Sequence, residues 1–313
     1  MRLTRSLQLL AAVAVLALLW TGLDGAQAAR LLSQAQPIWL IAALAALTTQ
    51  TVLSAMRWQV TADQLGQRIP LGRAVSEYYL AQVVNQSLPG GVVGDAGRAV
   101  RARHAAGLKR AGAAVAIERL AGQLSMMLVL TIGVLSVTLT PGGLSVPAPL
   151  LGLLAGILLV CLGAGFGLRY AAALPGRAGR VATDLRRALS QTLLTRRAFP
   201  RQAALNLAIT VANLLAFAAC ARATGTHLTP VEVAVLVPLI LLTMILPLTI
   251  SGWGLREGAA AALFPITGAS ASAGLAASVA FGLVFLASTA PGILMLLSRQ
   301  RRCSSTQGAG TEG

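Results

Sequence analysis

The sequence predicts an all-α integral membrane protein with six full crossings and two re-entrant helical hairpins, arranged as two inverted-topology repeats. Three observations carry that prediction. Of 313 residues, 56% are hydrophobic and only 11% charged, and the mean hydropathy is +0.75, too apolar for a soluble domain of this length. Apolar runs long enough to span a bilayer recur from residue 7 to residue 297 with no long polar stretch between them, which excludes a separate soluble catalytic domain. The 25 basic residues outnumber the 9 acidic ones for a net charge of +16, and 24 of the 25 are Arg. In so apolar a chain that excess marks cytoplasmic loops rather than nucleic-acid binding.

Taken in order, uncharged apolar stretches fall at about 7–23, 38–56, 120–139, 149–168, 203–221 and 272–297, each close to the length of one crossing. The third extends back to 111 if Glu118 and Arg119 are counted within it. Arg2, Arg5, the apolar segment from Leu7 to Trp20 and Ala26-Gln27-Ala28 also fit a cleavable signal peptide. Retention is the reading taken, because the segment completes the first repeat. Basic residues orient the chain: Arg2 and Arg5 precede the first crossing, Arg57, Arg68 and Arg73 follow the second, and Arg98, Arg101, Arg103, Lys109 and Arg110 precede the third. Residues 169–201 hold eight Arg, and the 299–313 tail carries Arg299, Arg301 and Arg302. With these groups cytoplasmic, both termini are inside, 21 of the 25 basic residues are inside, and the intervening loops contain only Arg30 and Arg222. The cytoplasmic surface of the inner (plasma) membrane is where such a bias is expected.

The same count treats two shorter apolar stretches. Residues 74–97 begin and end beside cytoplasmic basic groups, so they should enter the membrane and return. Residues 233–270 should do the same from the opposite face. Their tips, Leu88-Pro89-Gly90-Gly91-Val92-Val93-Gly94-Asp95-Ala96-Gly97-Arg98 and Leu246-Pro247-Leu248-Thr249-Ile250-Ser251-Gly252-Trp253-Gly254-Leu255-Arg256, share L-P-x-x-x-x-G-x-x-x-R at an offset of 158. The order crossing, crossing, hairpin, crossing occurs in 7–139 and again in 149–297. Inverted repeats with paired broken helices place a substrate site near the midplane.

The tip chemistry follows from residue type. Pro89 and Pro247 lack a backbone donor, and Gly90, Gly91, Gly94, Gly252 and Gly254 let the chain turn, so each helix breaks inside the membrane. The returning half-helices then present N-H groups and a favourable dipole to an anion, with phosphate the natural candidate. Asp95, Arg98, Glu118, Arg119, Arg256 and Glu257 gather at this depth. They read either as structural ion pairs or as a substrate site, and intramembrane charges favour the site. Asp95 and Arg98 are three residues apart and suited to a local pair. Glu118 and Arg119 point about 100° apart and need different partners. Arg98 and Arg256 are the expected phosphate ligands, with Arg119 third.

Other features read as structural. Cys161, Cys220 and Cys303 have neither metal-ligand nor redox spacing, and His104 and His227 stand alone, so no metal site or His-based triad assembles. Glu77, Tyr78 and Tyr79 read as an interfacial anchor, and Asn85 and Gln86 as partners for backbone groups at the break. The eight-Arg segment reads as a solvated orientation signal that also suits anionic lipid. G-x-x-G-x-x-G at 91–97 follows no strand and is discounted as a nucleotide loop.

With those motifs in view, the chain resembles the flippase-like membrane domain of the lysylphosphatidylglycerol synthase family. N-x-x-L-P-G-G-x-x-G-D-x-x-R at 85–98, the acid-Arg pair Glu118-Arg119 and S-G-W-G-L-R-E-G at 251–258 carry the resemblance, which covers roughly residues 5 to 300. It implies a polytopic inner-membrane protein that moves a lipid between leaflets. Relatives are associated with aminoacylated phosphatidylglycerol, polyprenyl-linked sugars or hopanoid-related genes. The synthases of the family carry a soluble aminoacyl-transferase domain after the membrane part, and the absence of one before Gly313 implies a chain that does not itself make lysylphosphatidylglycerol. Glu118 stands where Asp is more usual, and Trp253 where an aliphatic residue is expected.

The expected function is therefore that of a non-enzymatic lipid flippase, with membrane lipids as partners, no cofactor and no metal. No ATP-binding motif is visible, so directional movement would draw on an ion gradient, the membrane potential or a lipid gradient. The alternatives are a membrane-embedded transferase on a lipid phosphate, using Asp95 or Glu118 as general base, and a non-transporting partner of a separately encoded lipid-modifying enzyme.

Overall fold

The computed structural model describes residues 20–22, 25–88, 91–139, 148–196, 198–245, 249, 251–295 and 297. All regular structure among them is helical. The main helices are α1 (Gly25–Ser33), α2 (Pro37–Gln64), α3 (Leu71–Ser87), α4 (Val93–Ala106), α5 (Leu108–Leu139), α6 (Ala148–Ala173), α7 (Arg177–Leu189), α8 (Phe199–Ala223), α9 (Pro230–Leu242), α10 (Leu255–Leu263) and α11 (Ala271–Ser288). The expected first crossing at 7–23, the break residues Pro89, Gly90 and Pro247, and the 299–313 tail lie outside the described residues, apart from 20–22.

Helix ends follow local chemistry. α2 and α9 both begin with proline in the first turn, where the missing N-H costs nothing. Thr229 and Glu232 close a reciprocal cap at α9: the Glu232 N-H donates to Thr229 Oγ1 at 3.3 Å, and the Thr229 N-H donates to Glu232 Oε2 at 2.7 Å. Ser270 caps α11 through the Ala273 N-H at 3.1 Å.

Among the described residues, five helices are long and apolar enough to cross a membrane: Pro37–Gln64, Leu108–Leu139, Ala155–Ala173, Phe199–Ala223 and Ala271–Met295. They coincide with the second to sixth expected crossings, and the third takes in Glu118 and Arg119 as the longer alternative had it. α5 shows why the fold needs a bilayer. Its buried face carries Ala114, Ile117, Ala121, Leu130 and Val137, while Leu120, Leu124, Leu128, Ile132, Leu135 and Leu139 form an exposed stripe at spacings of three and four. A continuous apolar stripe of that length is stable against lipid rather than water.

α2 and α8 pack along each other at the centre of the molecule, and α5 and α11 flank them. The principal core is aromatic where α8, α10 and α11 meet: the Phe217 ring lies 6.4 Å from Phe264 and 5.4 Å from Phe281. Cys220 is fully buried in the same core, matching its reading as a small buried residue.

Two differences from the sequence reading have physical causes. Arg57, expected in a cytoplasmic loop, lies within α2 and is only 5% exposed, because the helix continues beyond the apolar stretch to Gln64 and a buried carboxylate neutralises the guanidinium. Residues 169–201, read as an Arg-rich loop, contain the end of α6, the helix α7 and a π-helical turn at Ser190–Leu194. In α7 the exposed apolar residues Val181 and Leu185 stand four apart, so four of the arginines, Arg177, Arg180, Arg186 and Arg187, are arranged on an amphipathic helix.

Candidate functional site

Both broken segments fold as helix pairs. α3 packs on α4, and α9 on α10. Between α3 and α4 the chain reverses through Gly91 at φ +58°. Gly94, in the first turn of α4, fits so closely that an added Cβ would stand 2.0 Å from the Ala81 carbonyl oxygen. Asn85 secures this tip: its Oδ1 accepts the Gly94 N-H at 2.7 Å, and its Nδ2 donates to Asp95 Oδ2 at 3.0 Å. At the second tip Ser251, Gly252 and Gly254 all have positive φ, and α10 starts directly after them. The Gly254 N-H donates to Glu257 Oε2 at 2.6 Å.

Each half-helix N-terminus thus already faces a carboxylate, Asp95 or Glu257. These occupy the dipole position that was expected to attract an external anion. The two tips are also not superposable residue for residue. Arg98 lies in the second turn of α4, whereas Arg256 is the second residue of α10.

The first charge cluster joins four helices. Glu118 of α5 is fully buried and receives Arg57 through Nε at 3.1 Å and through Nη2, Arg98 Nη2 at 2.9 Å, and the Tyr78 hydroxyl at 3.1 Å. Arg98 Nη2 also donates to Asp95 Oδ1 at 2.9 Å. Asp95 takes Arg119 on its other oxygen, and Arg119 reaches the Gly91 carbonyl at 2.9 Å. Glu118 and Arg119 accordingly have different partners, as their angular separation requires. Arg57 Nη1 extends the network to Asn206 of α8 at 2.6 Å. Three arginines against two carboxylates leave this cluster at +1.

Arg98 is completely enclosed, its guanidinium 4.5 Å from the Trp58 ring centre and 4.4 Å from that of Tyr78. Its Nε and Nη1 have no hydrogen-bond partner among the described residues, and the aromatic faces compensate part of that charge. By contrast the Arg119 side chain is 42% exposed.

Arg256 and Glu257 form a separate cluster. Arg256 Nε lies 3.0 Å from both Glu257 Oε1 and Ser278 Oγ, and its guanidinium sits 5.0 Å from the Trp253 ring centre and 5.4 Å from that of Phe281. The two enclosed arginines thus share one design: a carboxylate on the edge and two rings beside the plane.

A cavity of about 430 Å³ opens beside the first cluster, within the range of about 300–1,000 Å³ usual for small-ligand sites. Its lining includes Arg57, Tyr78, Asp95, Glu118 and Arg119. It also includes the amides Gln50, Gln82, Asn85, Gln86, Gln123 and Asn213 and the apolar residues Leu120, Met126, Ile209, Leu241, Ile245 and Phe285. Both tips reach the cavity, and Ser251 Oγ donates to Gln86 Oε1 across it. Of the residues singled out by charge, Asp95, Glu118 and Arg119 line this space; Arg98 lies behind them, and Arg256 and Glu257 lie away from it.

Sequence reasoning missed Arg57 and Tyr78 as site residues and, of the amides, named only Asn85 and Gln86, the first of which does hold a backbone N-H at the break. Arg57 sat where an apolar run ended and so read as a loop charge. Tyr78 read as an interfacial anchor beside Glu77 and Tyr79, but Glu77 and Tyr79 are each only 4% exposed, and Glu77 pairs with Arg101. The cluster of Gln and Asn within apolar segments was the available signal for a wet cavity.

Residues 6–292 match the family model described as the lysylphosphatidylglycerol synthase TM region. No curated protein and no solved structure gives a match.

Proposed function

The chain belongs to the lysylphosphatidylglycerol synthase TM family, and from that premise we propose that it is a lipid flippase of the inner membrane. Its substrate is an anionic phospholipid or lipid-linked headgroup, moved between leaflets through the cavity beside Asp95, Glu118 and Arg119. The observation that carries this reading is the cavity's mixed lining of charged side chains, amides and apolar residues. A phosphodiester with a hydroxylated headgroup suits that lining, since arginine meets phosphate oxygens and amides meet hydroxyls. Arg119 makes the first phosphate contact, because its side chain is the open cation of the cluster. Arg98, Arg256 and Glu257 support the two tips.

Reciprocal packing supports two inverted repeats. α5 of the first half meets α9 of the second at Gly133, where a Cβ would stand 3.0 Å from the Ala234 carbonyl oxygen. The last crossing meets α3 at Gly292, where a Cβ would stand 2.7 Å from the Tyr79 carbonyl oxygen. Each half therefore sends its final crossing against the first limb of the other half's broken helix, as a two-fold axis in the membrane plane requires.

The test is a leaflet-exchange assay in proteoliposomes with labelled phosphatidylglycerol and a labelled polyprenyl phosphate. Arg119→Ala should lower exchange at least tenfold at matched reconstitution and unchanged thermal stability. Exchange by the wild type that does not exceed protein-free vesicles for either lipid would reject the flippase reading.

A further inference from the structure

The helix α7 joins the two halves of the chain and has two faces. At about 100° per residue, Ala178, Val181, Ala182, Leu185, Ala188 and Leu189 fall within an arc of about 120°. Arg177 and Arg186 stand just outside the two edges of that arc, and Arg180 and Arg187 lie opposite its centre. Asp184 is the one acid, so four arginines leave the helix at +3. All four are exposed, and none takes part in an ion pair among the described residues.

The protein covers only one edge of the apolar face. Gly179 and Ala182 are buried, whereas Val181 and Leu185, at the centre of the arc, are 60% and 39% exposed. Apolar side chains between flanking cations suit the boundary between headgroups and acyl chains, where arginine stems follow the apolar surface and the guanidinium groups reach the phosphates.

Packing places α7 across the end of the bundle rather than along it. The Gly179 position faces the Leu174 and Ala171 carbonyl oxygens of the chain leaving α6, and one turn later Thr183 Oγ1 donates to the Ala172 carbonyl at 3.2 Å. In an antiparallel pair the contact would recede along α6 as it advanced along α7. Here two turns of α7 meet the same last turn of α6, so the helices cross steeply. α7 also meets α5, and the π-helical turn after it meets α2 and α8. Gln202 Nε2 donates to Thr61 Oγ1 at 2.9 Å, which fixes the start of α8 at the polar end of α2. Residues 177–194 therefore run from α6 to that polar end. Exposed Tyr170 and Phe199 flank the segment on either side, as aromatic residues do where helices leave the acyl region.

We propose that α7 is an in-plane membrane-surface helix that inserts Val181 and Leu185 among lipid acyl chains and gathers anionic phospholipid through Arg177, Arg180, Arg186 and Arg187. The partner is the lipid surface itself, and negative headgroups are specified by the charge of +3 without internal counterions. The surface is separate from the central cavity, and the proposal does not depend on transport.

The test uses the full chain, in a background without Cys161, Cys220 and Cys303, reconstituted into phosphatidylcholine vesicles with and without phosphatidylglycerol. A fluorophore is attached at Leu185→Cys or, on the opposite face, at Arg187→Cys, and quenching by lipids brominated on the acyl chain is measured. The probe at 185 should be quenched severalfold more than the probe at 187. Weak quenching at both positions would overturn the proposal and leave the face open to a soluble partner; strong quenching at both would overturn the in-plane placement. For the headgroup, brominated phosphatidylglycerol should quench the probe at 185 at least twofold more than brominated phosphatidylcholine at equal content. Arg177→Gln/Arg180→Gln/Arg186→Gln/Arg187→Gln should abolish that preference. Equal quenching by the two lipids with the arginines intact would overturn the anionic-lipid assignment, and this comparison stands even if the fourfold variant fails to fold.

Discussion

Glu118 is the residue on which the first charge cluster depends. It lies within a helix long and apolar enough to span a membrane, yet three other helices deliver a donor to it: Arg57 from α2, Tyr78 from α3 and Arg98 from α4. Removing one partner of a buried ion pair leaves the others charged and unpaired, at a cost of about 3–5 kcal/mol. Glu118→Ala should therefore lower thermal stability in detergent by an amount of that order, whereas Tyr78→Phe, which removes one hydrogen bond, should cost about 1 kcal/mol. Equal losses in the two variants would show that Glu118 does not organise the cluster. The sequence made Glu118, Asp95 and Arg98 conspicuous because charges are costly in lipid. Their pairing was less legible. Arg57 is 61 residues from Glu118, and no local pattern encodes a contact of that separation.

At the scale of elements, close helix approach explains positions that composition alone leaves unremarked. Pro238 lies inside α9, so the Ala234 carbonyl four residues earlier has no helical donor. That oxygen faces Gly133 of α5, where the lack of a side chain permits contact and a weak Cα-H interaction. Gly292 plays the matching part against the Tyr79 carbonyl. Gly133→Val and Gly292→Val should each force the helices apart and cost about 1–3 kcal/mol, measured by thermal unfolding. Unchanged stability in both would remove the argument for close reciprocal packing. Among the described residues, the five helices long and apolar enough to cross a membrane were legible as apolar runs because lipid rewards length and hydropathy directly. Helix ends were less so: α2 continues through Arg57 to Gln64 and α7 forms within an Arg-rich stretch, since tertiary partners and amphipathic spacing set those boundaries rather than mean hydropathy.

For the whole molecule, the two tips meet across the cavity through Ser251 and Gln86. If movement of one half against the other carries the lipid, holding the tips together should stop it. Gln86→Cys/Ser251→Cys, made in a background without Cys161, Cys220 and Cys303, should cross-link on oxidation, lose leaflet exchange and regain it on reduction. Full exchange by the completely cross-linked protein would rule out separation of the tips as part of the cycle.

The sequence by itself determined that the chain is a multi-pass helical membrane protein and which family it resembles, and it singled out Asp95, Arg98, Glu118, Arg119, Arg256 and Glu257 as charges among apolar segments, because each of these follows from local composition and motif. Only the tertiary structure decided which of those charges face a common space. It joined Asp95, Arg98, Glu118 and Arg119 with Arg57, kept Arg256 and Glu257 apart, and filled both half-helix N-termini with carboxylates of the chain itself. The physical reason is that a charge within the membrane is stabilised by whichever opposite charge packing brings within hydrogen-bonding distance, and packing depends on contacts between residues far apart in the chain.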